Sequence, residues 1–196
     1  MSNQTITFPQ FPNHSIYISL FKGLSSNSIK QIKQELVSGN KAYDYCFLNT
    51  KHIVSLEHLY SSIHRSILNY TNNNMAAKTL NTEIIFNLSP INNIVDALKN
   101  FGIREDCPNV IIIKVLPTEE CTEDKISEIT ENLSALLGEG VEKASLDDEL
   151  MFNELVDIKK LKKLYKLNDA KIDGEGKELQ QRLTRLAIGA CLLRGY

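Results

Sequence analysis

KTLNTEIIFNLSPINNIVDALKNFGIR, residues 78–104, is the stretch on which the fold turns. Residues 83–88 are a short apolar run with β-branched and aromatic members, and they read as a buried strand. Ser89-Pro90 breaks the run. Asn92 or Asn93 then caps a helix with Ile94, Val95, Leu98 and Phe101 on its apolar face, closed by Gly102. The stretch predicts strand, polar turn and helix in quick succession. It contains no catalytic motif.

Working outward, the proline-punctuated residues 1–14 allow only a short edge strand at Ile6-Thr7-Phe8. Residues 15–22 alternate Ile16, Ile18 and Leu20 with Tyr17, Ser19 and Phe21, which predicts a strand covered on both faces. A helix follows from Asn27 or Ser28 to Val37 and ends at Gly39, then an aromatic-rich strand over 43–48. Ser55 caps a helix to Tyr70, with Leu59, Ile63 and Ile67 on its apolar side. Downstream, VIIIKV at 110–115 reads as the central strand. Thr122 caps a helix to Leu137, stopped by Gly138 and Gly140. A last helix spans 175–193, with Leu179, Leu183, Leu186, Ala190 and Leu193 as its seam. The expectation is one α/β (α+β) domain, residues 1–196. Its small central mixed or antiparallel sheet has about four strands, packed by helices on its faces.

Composition narrows the function. The net charge is -2 and the pI near 6.1, so any nucleic-acid contact should be small and local. No secretory signal and no apolar run near bilayer length is seen, so no membrane partner is expected and the sequons at Asn69, Asn87 and Asn132 should stay unmodified. Cys46, Cys107, Cys121 and Cys191 lack metal-ligand spacing and read as reduced thiols. The four histidines suggest no metal site, and no cofactor motif or nucleophile elbow occurs. The expectation is a non-enzyme without cofactor.

Two charge blocks adjoin. Residues 139–157 hold seven acids against one lysine, and residues 159–166 hold five lysines. They read as a solvated helix pair that compensates its own charge, or, for the lysines, as a phosphate-facing patch.

The turn at 88–94, LSPINNI, is the best site candidate. A helix N-terminus at Asn92 or Asn93 offers free N–H groups to an anion. The two amides can read a base edge, and Ile91 and Ile94 offer an apolar surface to an unstacked base. Lys78 and Arg104 bracket the segment with positive charge. The plain alternative is a capping turn satisfied locally.

A family resemblance sharpens this. Lys78, Glu83, Leu88-Ser89-Pro90, Asn92-Asn93-Ile94 and Phe101-Gly102-Ile103, with FPNHSIYISLF, LYKL at 164–167 and the Leu193-Arg194-Gly195 end, resemble the TPRKB-like, PRPK-binding subunit of the KEOPS/EKC complex in a fungal form. The resemblance implies a non-catalytic subunit that binds the PRPK-type kinase, and the rest of the complex through it. It also implies capture of the 3′ CCA end of tRNA in support of threonylcarbamoyl-adenosine synthesis beside the anticodon. Links to telomere maintenance and transcription, in nucleus and cytoplasm, come with it. On this reading Lys78, Ser89, Asn92, Asn93, Ile94 and Arg104 line the tRNA site. The 55–70 helix and the last helix supply the kinase contact through Leu59, Ile63, Leu186 and Leu193. The alternative is a purely structural regulator of the kinase that never touches RNA.

Overall fold

In the computed structural model, which describes residues 3–168 and 170–194, the order is β1 (Asn3–Thr7), β2 (His14–Lys22), α1 (Ser26–Ser38), β3 (Cys46–Asn49), α2 (Leu56–Thr71), α3 (Leu80–Asn87), α4 (Ile94–Phe101), β4 (Val110–Pro117), α5 (Glu123–Leu137), β5 (Glu142–Ala144), α6 (Asp148–Leu150), α7 (Ile158–Leu164) and α8 (Gly176–Leu192). The chain divides into two compact units, each visited twice: residues 3–48 with 103–146, and 49–102 with 147–194.

The first unit holds the sheet. Its strand order is β1-β2-β4-β3, and β5 also pairs with β2. β1 lies antiparallel along Ser15–Ser19 of β2, and β5 along Leu20–Lys22, so two short strands share one long neighbour. β2 and β4 pair antiparallel, with Tyr17 opposite Lys114 and Ser19 opposite Ile112. Tyr17 and Phe21 of β2, Tyr45 and Phe47 around β3, and Val110 and Ile112 of β4 pack with Ile29 and Ile32 of α1 and Ile129, Leu133 and Leu137 of α5. Ile16, Ile18 and Leu20, on the other face of β2, are also fully buried, which agrees with the doubly covered strand expected. The α/β class is found as read, with five strands instead of about four.

The two helices of this unit end as their sequences direct. Gly39 closes α1 at φ 73°, a left-handed value in which only glycine escapes a Cβ clash. The Thr122 hydroxyl accepts from the Lys125 N–H at the start of α5. Lys114, the single charge in β4, reaches past the strand edge to Asp44, with Nζ 2.6 Å from the carbonyl and 2.8 Å from the carboxylate.

The second unit is helical, and here the sequence reading needs three corrections. Residues 83–88 are not a strand: they lie in and just beyond α3, whose N-cap Thr79 accepts from the Thr82 N–H. A short, mostly apolar run suits a buried strand or a buried helix equally, and periodicity alone does not separate them. What favours the helix is spacing by four. Leu80, Ile84 and Leu88 fall on one side, and Glu83 and Asn87 bring two buried polar groups onto another. The Glu83 carboxylate accepts from Asn69 Nδ2 at 2.7 Å and from the Ala77 N–H at 2.8 Å. Asn87 Nδ2 donates to Ser66 Oγ at 2.8 Å.

The second correction concerns the charge blocks, which form no compensated helix pair. The acidic block splits into β5, α6 and a π-helical turn at Met151–Leu155. Several of its carboxylates cap helices. Asp147 accepts from the Leu150 N–H, Asp148 from the Leu56 N–H at the start of α2, and Asp157 from the Lys160 N–H at the start of α7.

The third correction is the seam of α8. Of the expected row only Leu183 is fully buried, and it shares the inner face with Gln180, Thr184, Ala187 and Cys191; Leu179 and Ala190 are half-buried and Leu186 and Leu193 exposed. Gln180 Nε2 donates to the carbonyls of Val54 at 2.9 Å and Asp148 at 2.8 Å, and Thr184 Oγ1 donates to Ser55 Oγ at 2.8 Å. Two polar side chains face inward because the buried Val54 carbonyl and Ser55 hydroxyl need partners. The helix is thereby rotated so that Leu186, Leu192 and Leu193 face outward.

Candidate functional site

Two features of the second unit stand out: the apolar end of α8 and the turn joining α3 to α4.

Leu186 is 41% exposed and Leu193 68%, with Leu192 beside it. Leu186 and the C-cap Leu193 are seven positions apart, two helical turns, so they fall on one stripe. This end is fixed from below. Arg65 of α2 donates to the carbonyls of Cys191 and Leu192, both at 3.3 Å. The Arg194 guanidinium lies 3.6 Å over the Phe86 ring and donates to the carbonyls of Phe86 and Ser89 and to Asn87 Oδ1. Burial pulls the Arg194 pKa down, with Arg65 adding repulsion.

The same groups hold the turn. The Leu88 carbonyl accepts from Tyr165 OH at 2.7 Å and from Cys191 Sγ at 3.2 Å. Tyr165 OH also lies 3.0 Å from His58 Nε2. Because the tyrosine proton goes to Leu88, Nε2 of His58 must be the donor there, and Nδ1 accepts from the Val54 N–H at 3.5 Å. The imidazole is thus held neutral as the Nε2–H tautomer. Burial lowers its pKa to about 4 and raises that of Tyr165 well above its ordinary value. Cys191 is pushed up to about 11 by burial.

This fixes a pH dependence. Protonation of Nδ1 would aim a donor at the Val54 N–H, so the native state binds that proton later than the unfolded chain does. Stability is fully present above the ordinary histidine pKa of 6.5 and is lost as pH falls through 6.5 toward 4. The expected loss between pH 7.5 and 5 is about 2 kcal/mol, above the range where most carboxylates titrate. Urea unfolding across that range should show it in the wild-type chain, and His58→Gln should flatten it. An equally steep profile in the variant would assign the dependence elsewhere.

In the turn, Ser89 is fully buried and closes on itself: Oγ accepts from the Ile91 N–H at 3.1 Å and donates to the Ile91 carbonyl at 3.2 Å. Asn93 is the N-cap of α4, with Oδ1 accepting from the Asp96 N–H at 3.1 Å. Asn92 and Asn93 are exposed and Ile94 is half-buried. Val95 and Leu98 of α4 are exposed as well. Asn92, Asn93 and Ile94 are therefore consecutive and accessible at a helix start, while the Ser89 hydroxyl shapes the turn from inside.

Two other expected site residues are not part of this turn. Lys78 is exposed, but it precedes α3 whereas Ser89 follows it, and eight helical residues separate the two ends by about 12 Å. Arg104 belongs to the first unit, where Nε pairs with Asp106 at 2.8 Å. Leu59 and Ile63 of α2 are fully buried, so a partner could meet only Leu186 and Leu193 of the four leucine and isoleucine positions expected to bind it. Sequence reasoning missed Arg194 as an anchor and Gln180 and Thr184 as inward groups. Their spacing with Ala187 and Cys191 was the available signal.

The family model for the kinase binding protein CGI-121 matches residues 21–195. The chain belongs to the CGI-121 family. Over 196 residues and the full length of both chains it is 57% identical to the EKC/KEOPS complex subunit CGI121 of Debaryomyces hansenii. It is 51% identical to the Candida albicans protein of that name over all of both chains, and 31% identical to the Schizosaccharomyces pombe protein over 96% of this chain and 98% of that one. For this CGI-121 family member, the resemblance read from residues 78–104 and the C-terminal residues is borne out. Among the described residues, no cluster of histidine, cysteine and carboxylate groups could hold a metal ion, and no helix is long and apolar enough to cross a membrane.

Proposed function

We propose that this chain is a non-catalytic subunit of the EKC/KEOPS complex that docks on the complex's small kinase through the end of α8 and receives the 3′ CCA end of tRNA at the α3–α4 turn. In that role it supports threonylcarbamoyl-adenosine formation beside the anticodon, in nucleus and cytoplasm, with a telomere-linked function of the complex as a further expectation. The observation that carries the kinase half is the outward leucine stripe of α8, on a chain whose family is a kinase-binding one. An apolar patch clamped by Arg65 and Arg194 is preorganised, so little order is lost on binding. The tRNA half is supported by accessible amides and a half-buried isoleucine at one helix start, which suit stacking and edge recognition of unpaired bases.

A comparison of intact tRNA with the same tRNA trimmed of its CCA tests the second half. Intact tRNA should bind at least about 10-fold more tightly, since stacking is worth roughly 1–3 kcal/mol per base. Asn93→Ala with Ile94→Glu should erase the difference while kinase capture is kept. Equal binding of trimmed and intact tRNA by the wild-type chain would leave only the reading of a structural regulator of the kinase, which the self-satisfied Ser89 also fits.

A further inference from the structure

The lysine run at 159–166 has no task in the function proposed so far. α7, IKKLKKL, buries Leu161 fully, and Tyr165 follows it into the interior. Lys160 pairs with Asp157 at 3.4 Å. Lys159, Lys163 and Lys166 are exposed and Lys162 half-buried. Among the described residues, none of the ammonium groups of these four has a carboxylate within ion-pair distance. Three of the acids that precede them in sequence, Asp147, Asp148 and Asp157, are occupied as helix caps.

Two further observations bear on the patch. The helix ends with the Leu167 N–H bonded to the Lys162 carbonyl at 2.7 Å and the Lys166 N–H to the Lys163 carbonyl at 3.2 Å, which places Lys166 at φ 56°. That left-handed position favours glycine, so a lysine there is kept at a conformational cost. Tyr165, between the last two lysines of the run, donates to the Leu88 carbonyl at 2.7 Å. Leu88 immediately precedes the Ser89–Asn93 turn. One tyrosine side chain therefore ties the basic patch to the candidate site for the RNA end.

We propose that Lys159, Lys162, Lys163 and Lys166 form a phosphate-backbone contact for the base-paired stem that adjoins the single-stranded 3′ end of the tRNA. This rests on the tRNA reading given above. The chemistry suits phosphate. Four rotatable point charges fit a charged chain of no fixed register, whereas carboxylate recognition is better served by the bidentate fork of arginine, which the run lacks. No apolar side chain of the run is fully exposed to anchor it in a bilayer. A chain of net charge -2 needs such a local patch if it is to hold duplex RNA.

The test uses the full chain, alone and bound to its kinase, with the four lysines changed to glutamine and, separately, to arginine. The probes are intact tRNA, tRNA trimmed of its CCA, and a single-stranded oligonucleotide ending in CCA, each titrated across KCl concentration. The glutamine variant should bind both tRNAs about 10-fold or more weakly, with a salt slope shallower by roughly 2–4. The oligonucleotide affinity should be unchanged, and the arginine variant should bind like wild type. If trimmed and intact tRNA bind alike yet the glutamine variant loses both, the CCA site fails and the patch stands. Unchanged affinity and slope on both tRNAs would overturn the patch, as would lost kinase capture with intact tRNA binding, which would assign it to an acidic protein surface. No tRNA binding by the wild-type chain in either form would overturn both readings.

Discussion

Replacing Glu83 by alanine should remove about 3–4 kcal/mol of stability, because it strands buried donors and opens a cavity at once. The carboxylate is fully buried, and it gathers Asn69 Nδ2, the Ala77 N–H and, at 3.4 Å, Asn87 Nδ2. Asn69 is half-buried and can turn to water. The Ala77 N–H and Asn87 are buried and cannot. Asn87 is also the residue whose Oδ1 accepts from Arg194, so the loss should spread to the end of α8. For a chain of this length the corresponding fall in Tm is roughly 10 °C. Glu83→Gln is the informative control. It keeps the shape but offers one acceptor oxygen where two are used, so one contact becomes donor against donor, costing about 1–2 kcal/mol. Chemical denaturation of the three proteins decides the matter. A loss below about 1 kcal/mol for the alanine variant would mean that water replaces the carboxylate, and that the network is not what holds α3.

The second large effect is expected at the partner face. Leu186→Asp combined with Leu193→Asp should weaken kinase capture about 100-fold or more, the range found when apolar anchors at an interface centre are lost. Both side chains are substantially exposed, so the Tm should move little. That separation is what makes the pair useful, since aspartate at Leu59 or Ile63 would unfold the unit and abolish capture for a trivial reason. The measurement is pull-down or calorimetry with the purified kinase, beside a melting curve. Undiminished capture by the doubly substituted chain would move the interface off α8, with the exposed Val95 and Leu98 of α4 as the next surface to vary.

The strands at β2 and β4 and the helices α1, α2, α4 and α5 were legible because each carries a clear local signal. These are alternation, a 3.6-residue stripe, a serine, asparagine or threonine cap, or a terminal glycine. The capping role of Asn93 and the family resemblance were legible for the same reason, since both rest on residue order. Residues 83–88 were misread because four apolar positions among six do not fix a period. Helix formation there depends on Asn69, Ser66 and Ala77 supplying partners to Glu83 and Asn87.

By itself, then, the sequence determined the class of the fold, the ends of most helices and the family. Only the tertiary structure decided which way α8 faces, and with it which leucines remain available to a partner. Hydrophobicity ranks Leu186 and Leu193 as core and Gln180 and Thr184 as surface. Burial reverses that order because the Val54 carbonyl and the Ser55 hydroxyl are hidden from water and need donors, and a glutamine and a threonine can supply them where a leucine cannot.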